Sequence, residues 1–202
     1  YLEGVPARDV LFVVKDGVAR HHPDLAIVVP GGDFEQVQGD RFGGWTFQDN
    51  EGKSIFADHQ VVHGGKTSAR MENAGASHPA GNCRFSQSLT LHPFRQYRIS
   101  FWVKTEELHP ASAEVKVLAP DSERFVSFGT FPVRPTQDWT HYDLVFNSLR
   151  NSEVMLYLGL WGGETGRIWW DDLTIEEIGL MNVLRRQGCP VTVRGENGLT
   201  YE

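Results

Sequence analysis

The chain is 202 residues long with a formal charge of −7, 40% hydrophobic and 22% charged residues, and 6 Trp, 5 Tyr and 12 Phe. That apolar and aromatic content excludes a disordered chain and suits one all-β domain of roughly 200 residues. An acidic balance with no Lys/Arg cluster excludes a phosphate-backbone partner, and no apolar run reaches the roughly 18 residues of a membrane span.

Residues 1–29 hold one strand-like run, Val10–Lys15, and an apolar run, Leu25–Val29, separated by His21-His22-Pro23-Asp24. From Trp45 to Ile178 short runs of period-two alternation recur, each closed by Gly, Pro, Asn or Asp. The strands expected are Trp45–Asp49, Ser54–Val62, Thr67–Glu72, Arg84–Leu91, Tyr97–Glu106, Ala113–Leu118, Phe125–Val133, Thr140–Asn147, Val154–Trp161 and Arg167–Ile178, with no helix between them. Regular strand-and-turn spacing without intervening helices predicts an antiparallel β-sandwich of the jelly-roll kind. After Ile178 a short helix is expected over Gly179–Gln187. Two strands, Val191–Arg194 and Leu199–Tyr201, then follow, joined by an Asn197-Gly198 turn. The organisation expected is a flank at 1–29 ending a preceding module, a sandwich at 30–178, and an extension at 179–202 running into a following one. A chain that starts at Tyr1 and stops at Glu202 reads as an excised or processed piece, with any signal peptide outside it.

Parity assigns the faces. Tyr97, Ile99, Phe101 and Val103 form one side of their strand, which leaves Arg98, Ser100, Trp102 and Lys104 on the other. Val154, Leu156, Leu158 and Leu160 likewise face a core, leaving Met155, Tyr157 and Trp161 outward. Outward rings suit sugar recognition, because the C–H face of a pyranose stacks on a flat aromatic while its hydroxyls take polar partners at the rim. The same rings could equally sit beneath a chain end or another module. Trp45 and Trp139 read as core, and Trp170 reads as the solvent-facing member of the Trp169-Trp170 pair.

Five segments in order resemble carbohydrate-binding modules of families four, nine and twenty-two. They are Gly31-Gly32-Asp33-Phe34-Glu35, Gly44-Trp45, Gly64-Gly65-Lys66-Thr67-Ser68-Ala69-Arg70, Tyr97–Lys104 and Trp170-Asp171-Asp172-Leu173-Thr174-Ile175. The resemblance covers roughly residues 30–178 and implies a galactose-binding-like jelly roll. It also implies a structural calcium ion, with carboxylates from Glu35 and Asp171, carbonyl oxygens from Asp33 and Lys66, and Asp172 beside them; hard oxygens are what calcium takes. Asp171 shares parity with Leu173 and Ile175, so it is expected to point between the sheets. The ligand set implied is Trp102, Tyr157 and Trp161 as platforms, with Arg70, Arg84 and Gln87 as polar partners. Gln87 also shares parity with Leu89 and Leu91, the pattern of a buried hydrogen-bonder. The implied role is a secreted, non-catalytic module that holds a polysaccharide for a covalently tethered glycoside hydrolase.

Two alternatives stand beside it, a spacer domain without a ligand and a polysaccharide lyase on a similar sandwich. The sequence contains no HExxH, GxSxG, P-loop or strand-bound GxGxxG. The carboxylate pairs Glu106-Glu107 and Glu176-Glu177 are adjacent on strands and so point to opposite faces, unlike the facing pair of a glycosidase. Cys83 and Cys189 lie in no CxxC pairing, which excludes a zinc site or dithiol centre; one disulfide or two free thiols both fit.

Overall fold

The computed structural model describes residues 29–93, 95–120 and 124–180, together with short strand segments at 11–12, 14–15, 18–19, 193–195 and 200–201. Ten strands build the body: β1 (Phe47–Gln48), β2 (Ile55–Asp58), β3 (Ser68–Glu72), β4 (Cys83–Thr90), β5 (Arg95–His109), β6 (Ala113–Leu118), β7 (Phe125–Phe131), β8 (Gln137–Asn147), β9 (Glu153–Leu160) and β10 (Thr165–Leu180). They pair antiparallel into two five-stranded sheets, sheet one in the order β8-β5-β10-β3-β2 and sheet two in the order β7-β6-β9-β4-β1. This is the antiparallel sandwich that the alternation predicts. One four-residue helix, α1 (Ala74–Ser77), interrupts it where none was expected.

The core lies between the sheets. Tyr97, Ile99, Phe101 and Val103 of β5 are fully buried there with Val115 and Val117 of β6 and Leu156 and Leu158 of β9, as parity requires. Each such side chain contributes about 1.5–3 kcal/mol by leaving water. One end is sealed by an aromatic knot. Phe34 stacks on Trp45 at 5.6 Å with ring planes 1° apart, while Phe42 and Phe85 pack against it at 5.5 and 5.7 Å. Trp45 donates its indole N–H to the Gly31 carbonyl at 3.0 Å, so it is the core residue expected. Glycine is required here: Gly44 has φ of 84°, and a Cβ would come within 2.3 Å of the Pro30 carbonyl oxygen.

Three expectations are corrected. β2 stops at Asp58 instead of running to Val62, because the Asp58 carboxylate accepts the Gln60 and Val61 amides at 2.9 and 3.1 Å and turns the chain out of the sheet. Trp170 is core, not solvent-facing, packed 5.4 Å from Phe101. Trp139 is half-buried and sits on the outer face of sheet one, edge-on to His63 at 5.6 Å.

At the ends, Leu11–Phe12 pairs in parallel with Val193–Gly195, which pairs in turn with Thr200–Tyr201. Most of the expected helix over 179–187 lies outside the described residues. Cys83 is a free, buried thiol whose sulfur donates to the Ser54 carbonyl, and burial pushes its pKa up to about 12. Cys189 lies outside the described residues.

Candidate functional site

The residues proposed for one ligand site stand on two faces. Trp102 and Arg70 project from the outer face of sheet one, whereas Tyr157, Trp161 and Arg84 project from the outer face of sheet two, so no single groove holds all of them. Gln87 belongs to neither. It is fully buried between the sheets, opposite Leu156, with its amide nitrogen 3.4 Å from the Pro30 carbonyl.

On sheet two, strand register lines up one outward row: Phe128 beside Lys116, then Tyr157, Ser86 and Phe47. Directly opposite residues share a face, so these five side chains cross the strands like rungs. Four gaps of about 4.8 Å make the row about 19 Å long. Phe47, Phe125 and Phe128 are 44%, 58% and 50% exposed, and Phe125 and Phe128 lie 5.8 Å apart. Beside the row, the Lys116 ammonium sits 3.4 Å above the Trp161 ring, and the Arg84 guanidinium lies 5.8 Å from it. The cations are held in turn. Lys116 pairs with Glu114 at 2.9 Å, and Arg84 with the buried Asp49 at 2.7 Å. Trp161 is thus a ring fixed by cation–π contacts, and Tyr157 is the half-exposed ring at the centre of the row. Sequence reasoning missed Phe47, Phe125 and Phe128. The signal was present in the alternation of Phe128 and Thr130 with Phe131, which packs on the core.

On sheet one the outward rings are covered. His63 stacks on Trp102 at 3.9 Å, and His141, its cross-strand neighbour, approaches at 5.2 Å. Trp169 is buried, and its indole N–H donates to Asp58 Oδ2 at 2.9 Å. Asp58 also receives Arg70 at 3.1 Å. Burial alone would raise the Asp58 pKa, but the bonds from Trp169, the Gln60 and Val61 amides and Arg70 outweigh it and hold the carboxyl below its usual value. Arg167 joins Glu72 at 2.7 Å and Glu106 at 3.3 Å, and Lys104 joins Asp138 at 2.7 Å. Between these groups lies a cleft of about 590 Å³.

A bulge decides where the Asp pair points. Asp172 adopts φ of 47° and breaks the β5–β10 register between Ser100 and Trp102, so Asp171 sits opposite Trp102 on the outer side instead of between the sheets. The loop that covers Asp171 donates its His63 and Gly64 amides to the carboxylate at 2.8 and 3.2 Å. Three residues along, the Lys66 and Thr67 amides reach Glu35 at 2.8 and 2.9 Å. Two carboxylates therefore clamp one loop at both ends. Asp172 turns to His63 Nδ1 at 2.7 Å, and Asp33 accepts the Glu35 amide at 3.3 Å. Burial pushes the Asp171 pKa up to about 6 against the pull of three backbone amides, with Asp172 adding repulsion. Among the described residues no three His, Cys, Asp or Glu side chains come together around a metal position. What comes together is two carboxylates, Asp171 and Glu35, on the N–H groups of loop 63–67, and carboxylate oxygen is the donor type calcium accepts.

A family model described as "Carbohydrate binding domain" matches residues 28–165. A solved structure described as "CBM4 structure and function" is similar with a TM-score of 0.54 at 20% identity, over 75% of this chain and 100% of that chain. A cyclase from Fischerella sp. TAU is similar with a TM-score of 0.59 at 12% identity, over 78% of this chain and 98% of that one. At such identities the likeness is one of fold alone. An uncharacterized HTH-type transcriptional regulator, YbfP, of Bacillus subtilis (strain 168) is 26% identical over 126 residues, and the chain spans 42% of that protein's length.

Proposed function

Since this chain belongs to the carbohydrate binding domain family, we propose that it grips a polysaccharide laid across sheet two, on the row from Phe128 through Tyr157 to Phe47. The observation that supports this is the row itself: exposed rings at intervals, with the ammonium of Lys116 beside them. A sugar ring places its C–H face on each aromatic and its hydroxyls on the groups beside it. Every cation beside the row already has a carboxylate partner, which favours a neutral chain over a charged one. Nothing in this reading asks the site to make or break a bond. The module concentrates whatever it is tethered to on the polymer, and we propose a secreted glycoside hydrolase as that partner.

The test is affinity electrophoresis through gels of β-glucan, xylan, mannan and galactan. The chain is expected to be retarded by at least one polymer, and Tyr157→Ala with Trp161→Ala is expected to be retarded far less. Equal retardation of the variant sinks this placement. Retardation by no polymer favours the spacer reading.

We also propose calcium at the loop clamp, held by Glu35 and Asp171 with carbonyl oxygens of Asp33 and Lys66. It would supply positive charge where two carboxylates and a third, Asp172, crowd one loop, and so act on folding rather than chemistry. Added calcium is expected to raise Tm and chelation to reverse it, with Glu35→Gln insensitive to both. A melt that calcium leaves unmoved retires the claim.

A further inference from the structure

We infer that the outer face of sheet one carries a second, independent binding site for a neutral, hydroxyl-rich ligand, a short stretch of oligosaccharide, in the cleft above Trp169. The volume of about 590 Å³ lies inside the roughly 300–1,000 Å³ usual for small-ligand sites. Its floor is the buried edge of Trp169 with Arg70 and Lys104. One wall is Gln60, and the other is the turn that carries Arg134 and Asp138 into β8.

The charges say what it would hold. Arg70, Lys104 and Arg167 are met by Asp58, Asp138 and Glu106, so the cleft is dense in donors and acceptors whose charges cancel in pairs, with Arg134 left over at the rim. Apart from that one guanidinium, such a surface of paired charges has little to offer an ion. It matches a ligand that donates and accepts at adjacent positions, as paired sugar hydroxyls do, because a guanidinium or carboxylate bonds two neighbouring oxygens at once. The groups are also set in place beforehand: Asp58 is fixed by four donors, and Arg167 is fixed between two carboxylates. Arg134 is different. Its exposed guanidinium has no ion-pair or hydrogen-bond partner among the described residues and stands free at the rim. Trp139 follows Asp138 on the same face and is a half-buried ring.

This site and the sheet-two row look away from each other across the sandwich. A chain with both would bridge two glycan strands.

The test is an NMR titration of the whole chain with cellotetraose, xylotetraose, mannotetraose and β-1,4-galactotetraose, following the Trp169 indole N–H and the amides around Tyr157. Sodium sulfate and glucuronate serve as anionic controls. At least one tetrasaccharide is expected to shift the Trp169 signal, and to do so still in Tyr157→Ala/Trp161→Ala. Arg134→Ala/Gln60→Ala, both exposed positions that leave the core intact, should weaken that response at least tenfold while leaving the Tyr157 signals as in the parent. A Trp169 signal that no tetrasaccharide moves overturns the inference, whatever happens at Tyr157. So does a response to sulfate or glucuronate alone, or one unchanged by Arg134→Ala/Gln60→Ala. A shift at Trp169 with none at Tyr157 would leave this site standing and remove the sheet-two reading instead.

Discussion

The two outer faces start from the same rule and end differently. On both sheets, period-two alternation pushes rings outward: Trp102, Trp139 and Trp169 on sheet one, and Phe47, Phe128 and Tyr157 on sheet two. On sheet one, loop 59–66 and a lattice of ion pairs then close over two of those rings, stacking His63 on Trp102 and locking Trp169 to Asp58. On sheet two no such cover forms among the described residues, and phenylalanines remain about half exposed. Parity thus tells which way a side chain points, while the loops tell what it meets. A covered face is stabilising; an open apolar one is available for binding.

The sharpest way to break the comparison is Asp58→Ala. Removing a buried carboxylate that holds Trp169, Arg70 and two amides should cost about 3 kcal/mol in urea unfolding, since its partners are left unpaired. Retention on polysaccharide through sheet two should be unchanged for the molecules that remain folded. If stability is untouched, the lattice on sheet one is ornament and the contrast fails. Next, Tyr157→Ala/Trp161→Ala should weaken polysaccharide binding by roughly 30-fold, about 2 kcal/mol, with little change in stability because both rings are partly exposed.

A smaller effect comes from pH. Asp58 has a folded pKa below its unfolded value, so its contribution is complete above the unfolded pKa of about 3.9 and is lost as pH falls through the folded one. Acid titration below about pH 4 should therefore loosen sheet one first, seen as loss of the Trp169 indole N–H signal before the Tyr157 amides change. The smallest change is expected from Phe47→Ala at the end of the row, about threefold in affinity, against a larger loss for Tyr157→Ala at its centre. Equal losses would mean that the ligand does not run across the strands.

Much of the architecture was legible in the residues. The inward sets of β5 and β9 were assigned correctly because a core face leaves an unbroken alternation, and the segment order pointed to the sandwich that the family match bears out. The site was less legible, for three physical reasons. Strand parity is local, so Trp102 and Tyr157 both read as outward although their strands belong to different sheets. A single residue in the left-handed region, Asp172, shifts the count and carries Asp171 to the other side of β10. Cover is contributed by residues far away in sequence: His63 lies over Trp102, a contact that no pattern within β5 announces.

The place of β10 has one more consequence. It is the last strand of the sandwich in the chain, yet it lies in the middle of sheet one, between β5 and β3. On the ribosome, β5 and β3 must therefore wait with bare pairing edges until residues beyond Thr165 emerge. A nascent chain stalled before that point has two separate strand pairs, β8-β5 and β3-β2, with nothing to join them, so synthesis speed through the segment ahead of Thr165 sets how long the molecule is exposed to self-association.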